Sequence, residues 1–160
     1  MNSCLISEIY MDKAICNNAW DNYFQAYSIM YLGQRENEWR FVKAIAWCES
    51  RYQENAVSPA GAIGVMQVMP TTGLILGFSY YDLFNAKLNI KCACEHLANL
   101  MTLFSYDWKK VICAYNCGSG TVQWMIKEYG ANWFDHLPGE TKSYYPDVIK
   151  AYNNLLKCLI

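Results

Sequence analysis

Residues 44–72, AIAWCESRYQENAVSPAGAIGVMQVMPTT, carry the pattern from which the fold of this chain is read. From residue 38 onward, Trp39, Val42, Ile45 and Ala46 recur at the three- and four-residue spacing that sets apolar side chains on one face of a helix. Glu49 falls three residues after Ala46, on that same face, while Arg40, Lys43 and Arg51 are expected on an opposite, solvated side. A carboxyl group among apolar neighbours loses hydration in its charged form, so its pKa rises. Such a group can keep a proton near neutral pH, which is what a general acid requires. A glutamate near the end of a helix is more often a partly solvated side chain or one half of an ion pair, and the helical pattern alone favours that reading. The sequence that follows adds weight to the general acid. Asn55, Ser58-Pro59, Gly61 and Gly64 bring turn chemistry that lets the backbone pass close to a ligand and present its amides. Gln67 then stands as a two-faced amide among Val65, Met66, Val68 and Met69.

Several blocks, in order, carry a resemblance. Glu49-Ser50, residues 55–62 (NAVSPAGA) and residues 64–72 (GVMQVMPTT) are similar to the catalytic core of the soluble lytic transglycosylase family. Residues 114–118 (AYNCG) resemble that family's Ala-Tyr-Asn-Ala-Gly, and residues 140–148 (ETKSYYPDV) resemble its Glu-Thr-Arg-x-Tyr-Val-Pro. Long blocks in a fixed order are far more specific than one short motif. The departures are mild: Val65 where leucine is usual, Cys117 where alanine is usual, and Ser119 where proline is usual.

The resemblance implies a mainly α, lysozyme-like fold with a minimal β element beside a cleft. It implies cleavage of the β-linkage between N-acetylmuramic acid and N-acetylglucosamine in peptidoglycan without water. Glu49 would be the catalytic residue, acting first as acid and then as base. By the same resemblance, Tyr115 would bring its hydroxyl near Glu49 and hold the carboxyl, and Asn116 would bind an acetamido sugar. Gln67 would hydrogen-bond sugar groups, Ser58 and Met66 would line the same subsite, and Glu140 and Tyr144 would stand near the far wall. Read as residues alone, Tyr115 and Asn116 also fit a packed ring and a helix cap, and Glu140 and Tyr144 fit a helix N-terminal charge and a core ring.

Composition narrows the partners. With 13 basic and 14 acidic residues the formal charge is −1, so no basic footprint points to nucleic acid or an anionic membrane. The 6 Trp, 13 Tyr and 6 Phe supply ring faces that fill a core and can stack on sugars. Eight cysteines could mark a disulfide framework, but Cys48, Cys113 and Cys117 sit where helical packing wants small apolar residues. Reduced, mostly buried thiols are therefore expected. Cys92, Cys94 and His96 point to different sides of one helix and cannot converge on an ion, so neither metal nor cofactor is expected.

At 160 residues the chain is read as one domain, with a helical part over residues 1–35 and the family-like core over 36–150. Helices are expected at 7–16 and 18–32, then from residue 38, from an Asn85 cap through residue 104, and from an Asp107 cap to residue 116. Two more are expected, over 121–129 and at the C-terminal end, the latter interrupted near Pro146. Residues 63–69 alternate briefly as a strand would. His96 reads as structural, because nothing near it in sequence offers a catalytic partner. The first residues, MNSCLISE, lack a positive region ahead of an apolar run, so no signal peptide is expected, nor does any stretch reach the length of a membrane span.

A monomer acting on peptidoglycan glycan strands is the expectation, delivered to the periplasmic cell wall by a phage, holin or secretion system, with phage lysis the favoured setting. Two rivals stand beside it. One is a hydrolytic muramidase resembling goose-type lysozyme, which needs a second carboxylate; Glu54, Asp82, Glu95, Asp107 and Glu140 are the candidates. The other is a wall-binding module without activity.

Overall fold

The computed structural model describes residues 14–33 and 37–158. Most of the helix expected over 7–16 therefore lies outside the described residues. Helix α1 spans Asp21–Leu32 and stops at Gly33, whose φ of 103° a residue with a side chain rarely adopts. Helix α2, Glu38–Ser50, begins where the apolar pattern predicts. Val42, Ile45 and Ala46 are fully buried, as the stripe requires.

The opposite face of α2 differs from expectation. Lys43 and Arg40 are buried as well, at 2% and 8% exposure, while Arg51 remains exposed. The reason is α1, which packs along that side of α2 and turns a presumed solvent face into an interface. Lys43 keeps its charge there by donating to Asp21 of α1 at 2.5 Å, and Arg40 donates to the Asn37 side chain. A cation in that position needs such a partner, since burial without one would cost several kcal/mol, on the order of the usual penalty for an unpaired buried charge.

Beyond α2 the chain enters a loop carrying the small β element: bridges pair Val57 with Ile63 and Ile63 with Val68. A short helix α3 (Pro70–Ile75) and a 3-10 turn (Tyr81–Phe84) lead to α4, Ala86–Leu103. Asn85 caps α4 by accepting from the Leu88 amide, as its position suggested. The apolar face of α4 puts Ile90, Leu97 and Leu100 into the core. Asp107 likewise caps α5, Trp108–Cys117, by accepting from Lys109 and Lys110. Helix α6 (Ser119–Tyr129), a 3-10 stretch (Gly130–His136) and α7 (Gly139–Lys157) complete the described chain.

Two expectations are corrected here. Helix α7 runs without interruption through Pro146. Pro146 and Lys142, the residue whose carbonyl proline cannot bond, are both on the exposed side, where water can take the lost partner's place. The thiols are not all reduced either: Cys16 and Cys158 form a disulfide across 142 residues of sequence. The end of α7 returns to the first described residues, bringing the two Cα atoms to 5.8 Å, and no local pattern encodes that meeting. Cys48, Cys92, Cys94, Cys113 and Cys117 remain free thiols, and burial pushes Cys48, Cys92, Cys94 and Cys113 up to about 12. Those four are small hydrophobes in practice. Among the described residues no helix is long and apolar enough to cross a membrane, and no group of three His, Cys, Asp or Glu is placed to hold a metal.

Candidate active site

Glu49 is the penultimate residue of α2, and what terminates the helix also exposes its carboxyl. Arg51 and Tyr52 both adopt left-handed backbone angles, with φ of 55° and 65°, so the chain turns away immediately after the glutamate. The turn is anchored on two sides. Ser50 donates its hydroxyl to the Val65 carbonyl at 2.7 Å, and Tyr52 is buried with its hydroxyl donating to the Ile15 carbonyl.

The carboxyl itself is half-buried. Burial pushes the Glu49 pKa up to about 7 and the charge of Glu140 adds to the rise, while a hydrogen bond from Tyr144 opposes it. The Tyr144 hydroxyl donates to Glu49 Oε1 at 2.5 Å. A phenol donating to one oxygen fixes the plane of the carboxyl and leaves the other oxygen to carry or receive a proton. The elevated pKa has a stability consequence with a definite sign. The folded carboxyl binds its proton more tightly than the unfolded one, so its ionisation costs stability as pH rises from 4.5 through about 7. Glu49→Gln is therefore expected to be more stable than the parent at pH 8 by about 1–3 kcal/mol, discounted for partial solvation. That advantage should vanish below pH 4.5, where the carboxyl is protonated in both states; urea unfolding at the two pH values measures it.

Tyr115 lies near Glu49, as expected, but does not hold its carboxyl. Its hydroxyl donates to the Met66 carbonyl at 2.8 Å, although it lies close enough to Glu49 for that charge to help hold its phenol protonated. The tyrosine that orients the carboxyl is thus Tyr144, and Tyr115 ties α5 to the loop. His96 packs its ring 5.6 Å from that of Tyr115, and burial lowers its pKa. Met66 is fully buried in the hydrophobic core, so its side chain does not face a ligand.

The loop is held from within. Gln67, at φ 48°, donates both amide protons to the Ala56 and Gly64 carbonyls, leaving its Oε1 to accept. Ser58 accepts from the Ala62 amide through its hydroxyl. The residue that organises all of this is Asn89 of α4, which sequence reasoning passed over. Wholly buried, it accepts from the Met66 amide and donates to the Ile63 and Leu83 carbonyls, at 2.8, 2.9 and 2.9 Å. Gly64 lies so close that a Cβ there would stand 2.5 Å from the Leu83 carbonyl oxygen, and its φ is 80°. The signal for Asn89 was available: a polar residue at a buried position of an apolar helix face is expected to be satisfying backbone groups.

Among the acids considered as a second carboxylate, most are occupied. Glu54 accepts from the Ala86 amide at the start of α4, Asp82 from Ser79, and Asp107 caps α5 and pairs with Lys110; the charge of Glu95 stands close enough to Tyr31 to help raise that phenol's pKa. Glu140, exposed in the first turn of α7, is the acid whose charge Glu49 feels. The Asn116 side chain accepts from the buried Thr141 hydroxyl at 2.6 Å. The fold therefore gathers Glu49, Tyr115, Asn116, Glu140 and Tyr144, while Ser58, Met66 and Gln67 bond or pack within the loop, Gln67 keeping its Oε1 to accept.

The model of the transglycosylase SLT domain matches residues 26–137. The chain belongs to the transglycosylase SLT domain family. The membrane-bound lytic murein transglycosylase D of Escherichia coli is 32% identical over 119 residues, covering 68% of this chain and 26% of that protein. The peptidoglycan transglycosylase of Escherichia phage T7 is 30% identical over 114 residues, covering 68% of this chain and 9% of that protein. The 70 kDa soluble lytic transglycosylase of Escherichia coli superposes with a TM-score of 0.75 at 24% identity, over 89% of this chain and 25% of that one. This SLT domain thus spans about a quarter or less of the length of these relatives. Its fold is mainly α and lysozyme-like, as the motif blocks implied. The family match ends before α7, so Thr141 and Tyr144 lie beyond it.

Proposed function

We propose that this SLT domain is a peptidoglycan lytic transglycosylase that cleaves the β-1,4 bond from N-acetylmuramic acid to N-acetylglucosamine. One observation carries the reading: a carboxyl group, Glu49, held by Tyr144 in a desolvated setting that keeps its proton up to about pH 7. The names of its relatives support the substrate class. In the first step protonated Glu49 gives its proton to the glycosidic oxygen as the bond to the anomeric carbon breaks. The carboxylate so formed removes the proton from the muramic sugar's own primary hydroxyl as that oxygen attacks the anomeric carbon. A 1,6-anhydro ring closes, Glu49 is protonated again, and no water is consumed. One carboxyl suffices because the nucleophile is already part of the substrate, an instance of enforced proximity.

The hydrolytic alternative has a specific support in Glu140, whose charge reaches Glu49 and which could serve as base for a water. The masses of soluble fragments released from purified peptidoglycan separate the two. Muropeptides lighter by one water than reducing-end products, and formed without label uptake from ¹⁸O water, are the expected result. Reducing ends carrying the label would replace the transglycosylase with a muramidase. Intact protein that binds the polymer but releases nothing would leave only a wall-binding module. The setting we favour is phage lysis or wall penetration, supported by the similarity to the phage T7 protein, with the domain acting as a monomer at the bacterial cell wall.

A further inference from the structure

Helix α7 places two side chains on α2 and α5, and they are three residues apart. Tyr144 reaches Glu49 and Thr141 reaches Asn116. Residues at that spacing share one helix face, with Cβ atoms about 5–6 Å apart. The Asn116 side chain is therefore held roughly one helical turn along α7 from the Glu49 carboxyl.

How Asn116 is held decides what it can recognise. An asparagine amide presents an accepting oxygen on one side and two donating protons on the other, and turning it over exchanges them. Thr141 is 1% exposed, and the single proton of its hydroxyl goes to Asn116 Oδ1 at 2.6 Å. Turning the amide over would set its NH2 group against the hydroxyl and take from that buried proton the acceptor it has in the fold. With Oδ1 engaged, Nδ2 donates to no other described residue, and Asn116 as a residue is half-exposed.

We propose that Thr141 is a positioning residue that locks the Asn116 amide with its NH2 group outward, so that the site selects a carbonyl acceptor, the acetamido oxygen of an N-acetylated sugar, over a hydroxyl at the same carbon. The inference rests on the transglycosylase reading for its substrate class. It assigns to Thr141 a role that touches substrate only through Asn116.

The test is a binding comparison by calorimetry on the whole protein, using two neutral oligomers: the tetramer of N-acetylglucosamine and cellotetraose, which has a hydroxyl in place of each acetamido group. The parent is expected to prefer the acetylated tetramer by roughly tenfold or more, the range of one well-placed hydrogen bond. Thr141→Val keeps the shape and removes the hydroxyl, and should shrink that preference to about threefold or less; Thr141→Ser should restore it. Thermal melts of all three establish that the fold is common to them. A Thr141→Val protein that keeps the full preference overturns the proposal, as does a parent that binds the acetylated tetramer no better than cellotetraose. The outcome is separable from the proposed reaction. A protein that never cleaves peptidoglycan but loses its acetyl preference in Thr141→Val keeps this inference and loses the other. Cleavage with a preference indifferent to Thr141 does the reverse.

Discussion

Glu49→Gln is expected to lower the release of soluble fragments from peptidoglycan by roughly 10⁴-fold, the upper end of what a single general acid or base contributes. The size follows from the double use of one group. In the proposed reaction the leaving oxygen is protonated by Glu49 and the attacking hydroxyl is deprotonated by it, so glutamine removes both transfers at once. Glutamine is nearly isosteric, and its amide oxygen can still accept from Tyr144, which bonds Glu49 at 2.5 Å. Positioning of the glycan is therefore kept, and the loss should fall on kcat with KM changed by less than about threefold. Initial rates on purified sacculi measure it. Glu140→Gln is the companion variant. In the transglycosylase reading Glu140 acts only through its charge, which helps keep Glu49 protonated, so its neutralisation should cost less than about tenfold. A loss as large as that of Glu49→Gln would assign Glu140 a proton-transfer role and favour hydrolysis.

The largest expected effect on stability belongs to the disulfide. Cys16 and Cys158 close a loop of 142 residues, and the chain-entropy account puts the stabilisation from such a long loop at about 5 kcal/mol, with about 2–5 kcal/mol usual when a native bridge is removed. For a chain of this size about 2–4 °C of Tm accompanies each kcal/mol. Dithiothreitol is thus expected to lower the Tm by about 5–15 °C, and the Cys16→Ser, Cys158→Ser double variant to melt at the reduced temperature whether or not reductant is present. The consequence extends to the site. Ile15, next to Cys16, receives the Tyr52 hydroxyl just beyond the end of α2, while Cys158 closes α7, which carries Tyr144. The bridge thereby ties together the two helices whose contact orients Glu49. A melt unmoved by reductant would show that packing of α2 against α7 alone holds them.

What could be read in the sequence, and what could not, divides along a physical line. Local patterns were legible: the start of α2 at Glu38, the Asn85 and Asp107 caps, and the placing of Glu49 on the buried side of its helix, because each depends on residues within a few positions of one another. The burial of Lys43 and Arg40 was not, since it comes from α1 packing along α2. Pairings across long separations were equally hidden. Tyr144 meets Glu49 over 95 positions, Tyr115 meets Met66 over 49, and Cys16 meets Cys158 over 142. The motif blocks brought both tyrosines to the site but gave the carboxyl to Tyr115, whereas Tyr144 holds it. That choice is made by the register of α7 against α2, a matter of tertiary packing. Asn89 sits between these cases, for its polarity on a buried face was visible while its three loop partners were not.

Everything proposed for the chemistry depends on Glu49 holding a proton under the conditions of the reaction. The direct measurement is a pH titration of the Glu49 side-chain carboxyl by ¹³C NMR in protein labelled at glutamate, with Glu49→Gln assigning the resonance. A midpoint near pH 7, moving higher still in Tyr144→Phe because a bond to the charged form has been removed, is the predicted result. A midpoint near the ordinary value of 4.5, unchanged in Tyr144→Phe, would contradict the account, for the group would then be a solvated carboxylate with no proton to give.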